Sequence, residues 1–255
     1  MHIKELLGLT LIQLGLDPRK VLNSLRGTPY FVRDLLRYRR MSRNCPQALP
    51  LNGFLPVLGD RFEAAGSLPQ HYFHQDLWVA RKILAANPSR HVDIGSLISG
   101  FVSHLLVFRG VEIVDIRPLP ERIEGLTAHI GDATHLNMFA DDSLESLSSL
   151  HAGEHFGLGR YGDQIDPEAH ITFMRSLARV LAPAGRLYFS VPCGLEQLYF
   201  NSHRVISPHT VLKTFSDLQL VSFACVKDDR HFYPNCNVDE VARERYGCGI
   251  FEFTK

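Results

Sequence analysis

The stretch His91-Val92-Asp93-Ile94-Gly95-Ser96 decides the fold that this sequence predicts. Its first four residues are typical of the end of a short buried strand, and Gly95-Ser96 of the turn that follows. Residues 98–108 then carry apolar side chains at helical spacing. Because Gly95 has no Cβ, a ligand can lie against its backbone, and the first amides of the following helix point toward that ligand. Strand, small-residue turn and helix predict the opening unit of a nucleotide-binding α/β sheet.

The composition indicates a globular protein with one sizeable core. Of the 255 residues, 45% are hydrophobic, and 27 basic side chains balance 27 acidic ones; this composition excludes disordered and collagen-like classes. The five cysteines include no C-x-x-C pair, which argues against a disulfide scaffold or a structural zinc site and favours a reducing cytoplasm. The sequence shows no secretory pattern, and the apolar stretch 6–16 is too short to cross a bilayer.

Positive charge is concentrated at the N-terminus. Residues 1–43 hold nine Lys and Arg against three acidic residues, a net charge of +6. We expect two or three short helices here, with Asp17-Pro18 as a start and Gly27 as a stop. Such a segment either packs on the body or contacts a partner protein, a second subunit or the inner membrane face. Nucleic acid is not an expected partner, because no basic groove interleaved with aromatic residues follows.

The pattern of elements divides the chain into a basic helical segment with a connection, residues 1–69, and an α/β domain, residues 70–255. In the second part, β-rich runs alternate with helical runs, which predicts a mostly parallel sheet covered on both faces. Seven strands are predicted, at 91–94, 111–115, 126–130, 144–150, 186–191, 221–226 and 249–253. No helix clearly separates the last two strands, so we expect the final strand to be antiparallel.

An acidic residue closes or follows each of the first three predicted strands. These are Asp93, Asp115 and Asp132, and a parallel sheet brings all three to its carboxyl edge, where such sheets bind ligands. Asp115 follows Gly95 by about 20 residues, the spacing at which an acid accepts hydrogen bonds from a ribose diol. Asp132 and the backbone of Ala133 are suited to an adenine ring. The pattern predicts a nucleoside-bearing ligand.

This chain resembles the class I S-adenosylmethionine-dependent methyltransferases over residues 70–255. The features that match are the acid-x-glycine motif Asp93-Ile94-Gly95, the acid Asp115, the Gly131-Asp132-Ala133 turn, the turn Leu181-Ala-Pro-Ala-Gly-Arg-Leu187 and an antiparallel last strand. The glycine-rich loop departs from the family, with Leu97 and Ser99 where further glycines often stand. The resemblance implies the Rossmann-like fold of that class, with S-adenosylmethionine as cofactor. The cofactor contacts it implies are Gln75, Asp93, Gly95, Ser96, Asp115, Ile116, Asp132, Ala133 and His151.

Three further motifs resemble a poorly characterised bacterial methyltransferase-like family whose members are linked with glycan assembly. They are Tyr72-Phe-His-Gln-Asp76, His151-Ala-Gly-Glu-His-Phe-Gly-Leu-Gly-Arg-Tyr-Gly-Asp163 and Phe200-Asn-Ser-His-Arg204. This link is one of association and not of chemistry. It implies a small-molecule or glycan acceptor, with O-methylation of a sugar as the reaction. In the first motif, residues 72–75 are candidates for a lid over the cofactor.

The motif His151 to Asp163 is the predicted catalytic loop. Methyl transfer needs an acceptor held in line with the methyl group, and a hydroxyl acceptor also needs a base. A neutral histidine suits that task near pH 7, and His155 is the first candidate, with His151 and Glu154 as alternatives. The residues predicted to hold the acceptor are Arg160, Tyr161, Asp163, His203 and Arg204.

The same loop spells the H-x-x-E-H pattern of one metalloprotease class across residues 151–155. That chemistry requires a helix, so that both histidines face one zinc ion, whereas this pattern follows a strand and runs into Gly157. We therefore predict no metal centre, although Glu154 and Asp163 have the hard oxygen atoms that magnesium prefers.

Two other functions compete with methyl transfer. A nicotinamide-dependent oxidoreductase shares the ribose acid but normally carries G-x-G-x-x-G after its first strand, where this chain has G-S-L-I-S-G. A catalytically idle adaptor that kept the fold would dock into a glycan-assembly complex through residues 1–43. Cofactor binding without turnover would favour the adaptor.

Overall fold

The computed structural model describes residue 8 and residues 10–49, 51–64 and 68–255. The chain falls into two compact units, Met1–Leu68 and Pro69–Lys255. Among the described residues, none of the helices is both long and apolar enough to cross a membrane.

The first unit contains helix α1, Pro18–Ser42. The predicted start is confirmed, since Asp17 accepts hydrogen bonds from the amides of Arg19 and Lys20. The predicted stop at Gly27 is wrong, and one helix replaces the short helices expected over residues 18–42. A Cβ at position 27 would lie 1.9 Å from the carbonyl oxygen of Leu58. The glycine is therefore explained by close approach of the backbone of a neighbouring segment, and not by a turn.

The second unit alternates strands and helices. Its helices are α2 Gln70–Ala86, α3 Ser103–Leu106 (preceded by a π-helical turn, Ile98–Val102), α4 Ala169–Val180, α5 Pro208–Thr214 and α6 Val238–Val241. Its strands are β1 Val92–Ile94, β2 Val111–Asp115, β3 Leu126–Ile130, β4 Leu144–Leu150, β5 Leu181–Cys193, β6 Gln197–Tyr199, β7 His203–Val205, β8 Gln219–Val226, β9 Phe232–Tyr233 and β10 Gly247–Thr254.

Eight strands form one sheet in the order β3-β2-β1-β4-β5-β10-β8-β9. The first five strands of that order pair in parallel, and β10 is antiparallel to both β5 and β8. The predicted fold is confirmed: a mostly parallel sheet with an antiparallel final strand. Two features were not predicted, namely the short eighth strand β9 and a separate hairpin of β6 and β7.

Helices cover both faces of the sheet, so the central strands β1 and β4 are buried nearly throughout. On one face Phe173 and Leu177 of α4 pack in the same cluster as Phe189, and on the other Ile83 of α2 packs with Tyr188. Tyr188 and Phe189 are consecutive in β5 and therefore point to opposite faces. Burial of each such side chain contributes about 1.5–3 kcal/mol to folding. The rigid sheet fixes the strand ends that form the site.

Candidate functional site

A cavity of about 1230 Å³ opens at the carboxyl edge of the parallel strands. One side is formed by the turn at residues 95–99, the end of β2 at Asp115 and residues of β3. The other side is formed by the segment after β4 and by the β6–β7 hairpin. Predicted site residues that line the cavity are Gly95, Ser96, Asp115, His151, Glu154, His155, Arg160, Tyr161 and His203. One cavity therefore joins predicted cofactor contacts to predicted catalytic and acceptor-binding residues.

The turn after β1 brings backbone close to backbone. Gly95 adopts a φ of 69°, in the left-handed region that favours glycine, and its amide donates to the carbonyl oxygen of Val114. A Cβ at this position would lie 3.1 Å from the Cβ of Ala152. The glycine therefore allows the turn to pack closely against Ala152.

Asp93 is hydrogen-bonded to Ser96 of this turn and does not line the cavity. Its Oδ1 accepts from the Ser96 amide at 3.0 Å, and its Oδ2 accepts from the hydroxyls of Ser96 at 2.6 Å and Ser148 at 2.5 Å. Complete burial raises the pKa of Asp93 to about 6, against these hydrogen bonds, which lower it. The predicted cofactor contact is thus indirect, because Asp93 shapes the turn.

Serines of β4 continue this network behind the turn. Since Ser148 donates its hydroxyl proton to Asp93, it accepts from the Nε2–H of His91 at 3.0 Å. Nδ1 of His91 then accepts from the hydroxyl of Ser146 at 2.8 Å. Burial lowers the pKa of His91 to about 3, which keeps the ring neutral. The serine-rich sequence of β4 is explained by these bonds.

Asp115 meets an arginine that the sequence did not single out. The amide, Nε and Nη2 of Arg117 donate to the carboxylate of Asp115 at 2.8, 3.0 and 2.8 Å. The guanidinium also stacks 4.4 Å from the ring centre of Tyr161. Burial acts to raise the pKa of Asp115, but the bonds and charge of Arg117 outweigh it, and the pKa is lowered. The predicted ribose acid is ionised and already paired.

The third acid lies at a smaller cavity of about 80 Å³, which Ile116, Asp132 and Ala133 line together with Gly95. Oδ1 of Asp132 accepts from the amide and the hydroxyl of Thr134, at 2.8 and 2.6 Å. These bonds close the turn after β3. The structure therefore brings the four predicted residues around one pocket.

On the opposite side, His151 and Glu154 form a buried pair. His151 has a φ of 51°, and its Nδ1 lies 2.8 Å from Oε1 of Glu154. Burial acts to raise the pKa of Glu154, but its electrostatic interaction and hydrogen bond with His151 outweigh that effect, and the pKa is lowered. The carboxylate is therefore the acceptor, and Nδ1 of His151 carries a proton. Nε2 of His151 and Oε2 of Glu154 are buried and have no hydrogen-bond partner.

His155, the first candidate for the base, is held by its other nitrogen. Nδ1 of His155 lies 2.7 Å from the carbonyl oxygen of Ser202, which can only accept, so Nδ1 carries the proton. Nε2 therefore has the free lone pair, 3.7 Å from Oε1 of Glu154. Burial lowers the pKa of His155, although the charge of Glu154 opposes that shift. The ring has the tautomer and the protonation state that a general base requires.

Three predicted acceptor contacts surround this ring at the mouth of the cavity. Arg160 donates to the carbonyl oxygen of Ser202 at 3.1 Å, and its guanidinium lies 5.2 Å from the ring centre of Tyr161. Nδ1 of His203 lies 2.8 Å from the hydroxyl of Ser202. Together they present cationic and aromatic surface to the cavity.

Three other predicted contacts have partners inside the protein. Asp163 accepts from the amides of Gly157, Gly159 and Tyr161, so its carboxylate closes the loop. The guanidinium of buried Arg204 donates to the carbonyl oxygens of Glu154, Phe156 and Pro167. Gln75 bridges Asp76 and Ser190. Gln75 and Arg204 do not line either cavity, and all three residues serve to position other groups.

Tyr72, a residue of the predicted lid, lies at the same place, and the sequence interpretation missed His71 of α2, Tyr246 and Cys248 of β10, which meet it there. Tyr72 and Tyr246 line the large cavity, and the ring of His71 stacks between those of His151, at 5.3 Å, and Tyr246, at 5.2 Å. Burial lowers the pKa of His71 to about 3, and the neighbouring His151 adds to the shift. Cys248 of β10 is fully buried beside them. These residues are far apart in the sequence, so the sequence alone did not predict that they would meet.

Comparison with known proteins supports the fold. A family model described as "Caenorhabditis protein of unknown function, DUF268" matches residues 105–230. No curated protein matches the chain significantly.

Three solved structures are similar. The N-methyltransferase NodS from Bradyrhizobium japonicum WM9, in complex with S-adenosylhomocysteine, is 14% identical, with a TM-score of 0.50 over 74% of this chain and 89% of that one. The [4+2]-cyclase SpnF is 13% identical, with a TM-score of 0.55 over 76% and 85%. A putative sarcosine dimethylglycine methyltransferase from Galdieria sulphuraria is 14% identical, with a TM-score of 0.50 over 71% and 85%. The chain has the Rossmann-like fold of class I methyltransferases.

Proposed function

We propose that this protein is an S-adenosylmethionine-dependent methyltransferase that acts on a hydroxyl of a sugar or glycan-related acceptor. The observation that carries the proposal is the single cavity that joins the Gly95 turn and Asp115 to His155, Arg160 and Tyr161. The turn at Gly95 supports a cofactor site, because Gly95 lines both the large cavity and the smaller one. The similar structure of NodS contains the product form of that cofactor.

In this proposal one side of the cavity binds the cofactor, and the other side binds the acceptor and removes its proton. The large cavity holds the cofactor against Gly95, Ser96 and Asp115. The smaller cavity holds the adenine ring of the cofactor against Ile116, Asp132 and Ala133. When bound, S-adenosylmethionine supplies an electrophilic methyl group. The protein's own contribution is placement and one proton transfer.

His155 takes the acceptor's proton at Nε2. The carbonyl oxygen of Ser202 fixes the ring, and the nearby carboxylate of Glu154 stabilises the imidazolium that results. Arg160 and Tyr161 orient the acceptor at the mouth, where their side chains offer hydrogen bonds and a flat apolar face. His151 and Glu154 remain the alternative bases.

An adaptor without catalysis is the second candidate, and the pairing of Asp115 with Arg117 favours it. A ribose must displace a bidentate guanidinium before it can use this carboxylate. In the adaptor, the basic N-terminal segment docks the protein at the inner membrane face or on a partner in the cytoplasm. Described apolar side chains of α1 are exposed, among them Leu22, Leu25, Leu36 and Met41.

Calorimetry with S-adenosylmethionine, S-adenosylhomocysteine and NAD on the full chain tests the proposal. We expect the first two to bind and NAD not to bind; tight NAD binding alone would instead support an oxidoreductase. A screen of sugar and nucleotide-sugar acceptors then separates the remaining candidates. Cofactor binding without methyl transfer to any acceptor would favour the adaptor.

The N-terminal segment is tested separately, with anionic vesicles. Vesicle binding that falls steeply with salt and disappears when residues 1–43 are deleted would support membrane docking. Absence of vesicle binding would leave packing or a protein partner as the role of the segment.

A further inference from the structure

Three soft or borderline metal ligands meet beneath the large cavity. His71 comes from the first turn of α2, His151 from the end of β4, and Cys248 from β10. One imidazole nitrogen from each histidine and the Sγ of the cysteine all lie within 4.8 Å of one another. Two imidazoles and a thiolate form a donor set that zinc prefers over magnesium or calcium.

His151 is oriented as a metal-bound histidine is. Its Nδ1 proton is held by Glu154 at 2.8 Å, which leaves the lone pair of Nε2 directed away from that carboxylate. The side chain of His151 is 2% exposed, and this Nε2 has no hydrogen-bond partner. A carboxylate behind the histidine and an unsatisfied nitrogen in front of it are typical of carboxylate–histidine–zinc triads.

His71 repeats this arrangement. One of its ring nitrogens interacts with the backbone carbonyl of Tyr246, which leaves the other for a ligand. Two imidazoles bound to one tetrahedral zinc at about 2.0–2.1 Å have ring centres roughly 5 Å apart. The ring centres of His71 and His151 are 5.3 Å apart. The spacing of the two rings therefore suits a shared ion.

Cys248 provides the third ligand from the sheet. Its thiol is fully buried, and the hydrogen bonds recorded for it are long, at 3.8 Å to Oε1 of Gln75 and 3.9 Å to the carbonyl oxygen of Gly249. Neither contact ties the sulfur firmly. Metal binding would release the thiol proton to solvent and form a metal–thiolate bond.

We propose that His71, His151 and Cys248 bind one divalent ion of the zinc class. Of the three ligands, His151 lines the large cavity, so the ion would lie next to that cavity. Three protein ligands and one open position are the arrangement of catalytic rather than structural zinc. His155 is not part of this cluster. The proposal does not depend on methyl transfer, and it replaces the sequence-based expectation that the protein has no metal centre.

The test uses the full chain, stripped of metal with a chelator and titrated with Co²⁺. We expect one equivalent to bind and to produce a thiolate-to-cobalt charge-transfer band, which zinc then abolishes by displacing cobalt. The variant C248S should lose the band, and H71A should lose stoichiometric binding. E154Q, which removes the charge behind His151, should weaken cobalt binding by about 10–100-fold.

Matched controls separate coordination from folding. C225S removes another fully buried thiol, in β8, and H74A removes a second histidine of α2, which stacks on Phe232. Both should keep the band, and circular dichroism should show that every compared variant is folded. If C248S does not fold, the loss of stoichiometric cobalt binding in H71A is the test of the proposal. Absence of a charge-transfer band in the wild-type protein, or a band that survives in folded C248S, would overturn the proposal.

Discussion

The polar groups on the two sides of the large cavity differ in how completely they are hydrogen-bonded. The strand-end wall comprises Asp115, which lines the large cavity, Asp132 at the smaller cavity and Asp93 behind the turn, and each carboxylate accepts two or more hydrogen bonds from the chain itself. On the loop wall, formed by His151, Glu154 and His155, two buried polar atoms have no hydrogen-bond partner. The polar groups named on the first wall have hydrogen-bond partners, whereas two on the second have none.

Because of this difference, the free-energy cost of binding a ligand is not the same at the two walls. At the strand-end wall a ligand must replace internal hydrogen bonds, which reduces the net gain from binding. At the loop wall the cost of burying unpaired atoms is already present in the folded protein, and a ligand that pairs with them removes it. We therefore expect substitutions in the loop wall to have the larger effects.

The largest effect should come from H155A. Turnover should fall by about 10²–10⁴-fold, because the general base is lost, while the affinity for S-adenosylmethionine changes little. Burial lowers the pKa of His155 from 6.5, so its basic form predominates at neutral pH. The wild-type rate should therefore fall as the pH drops through a value below 6.5, and this limb should be absent from the variant's pH–rate profile.

The exposed His209 provides the control for this prediction, since H209A removes a surface imidazole. It should retain the wild-type rate and pH profile. A pH limb that persists in H155A would place the base elsewhere, with His151 and Glu154 next to be tested.

D93N should change how stability depends on pH. The folded-state pKa of Asp93 is about 6, above the ordinary 3.8, so folding disfavours the charged form. Stability is thus greatest when the pH is below the ordinary pKa and is lost as the pH rises through 6, by about 3 kcal/mol. Denaturant unfolding between pH 4 and 7 should show this loss in the wild type and not in D93N. Parallel curves for the two proteins would contradict the prediction.

D115A should weaken S-adenosylmethionine binding by roughly 2–3 kcal/mol, the scale of hydrogen bonds to a charged group. Calorimetry measures this loss, and D217A, which removes an exposed acid of the same domain, is the matched control. An unchanged affinity in D115A would exclude the ribose contact.

R117A should have the smallest effect, in the opposite direction. Removing the guanidinium frees the carboxylate of Asp115, but the side chain of Arg117 is 55% exposed and solvent screens the pair. Cofactor affinity should rise by a factor of about 1.4–5, corresponding to 0.2–1 kcal/mol. R122A, in the same connection, should leave the affinity unchanged. Weaker binding in R117A would mean that the arginine itself contacts the ligand.

The sequence predicted the sheet well because strand position depends on local pattern. The bounds predicted for β2, β3 and β4 are those observed. In β2, β-branched residues between polar turns are mostly buried, which leaves few alternatives to a strand. The β6–β7 hairpin was not predicted from the sequence. The residues of β6 are all at least partly exposed and show no alternating pattern: Gln197, Leu198 and Tyr199.

The site was predicted less completely, because its partners are distant or depend on loop geometry. Arg117 is only two residues from Asp115, yet their pairing depends on the backbone path after β2. Cys248 reaches His71 only through the strand order, which places β10 beside β5. Gly27 was misread for the related reason that its packing partner, Leu58, lies in another segment.

The backbone at His151 has a consequence for engineering. A residue with a φ of 51° is in the left-handed region, which costs a residue other than glycine roughly 1–2 kcal/mol. A stability-driven redesign would replace this histidine with glycine and would delete the imidazole at the centre of the loop wall. The position therefore marks a trade-off between thermal robustness and chemistry, and libraries selected for heat tolerance alone should drift away from histidine here.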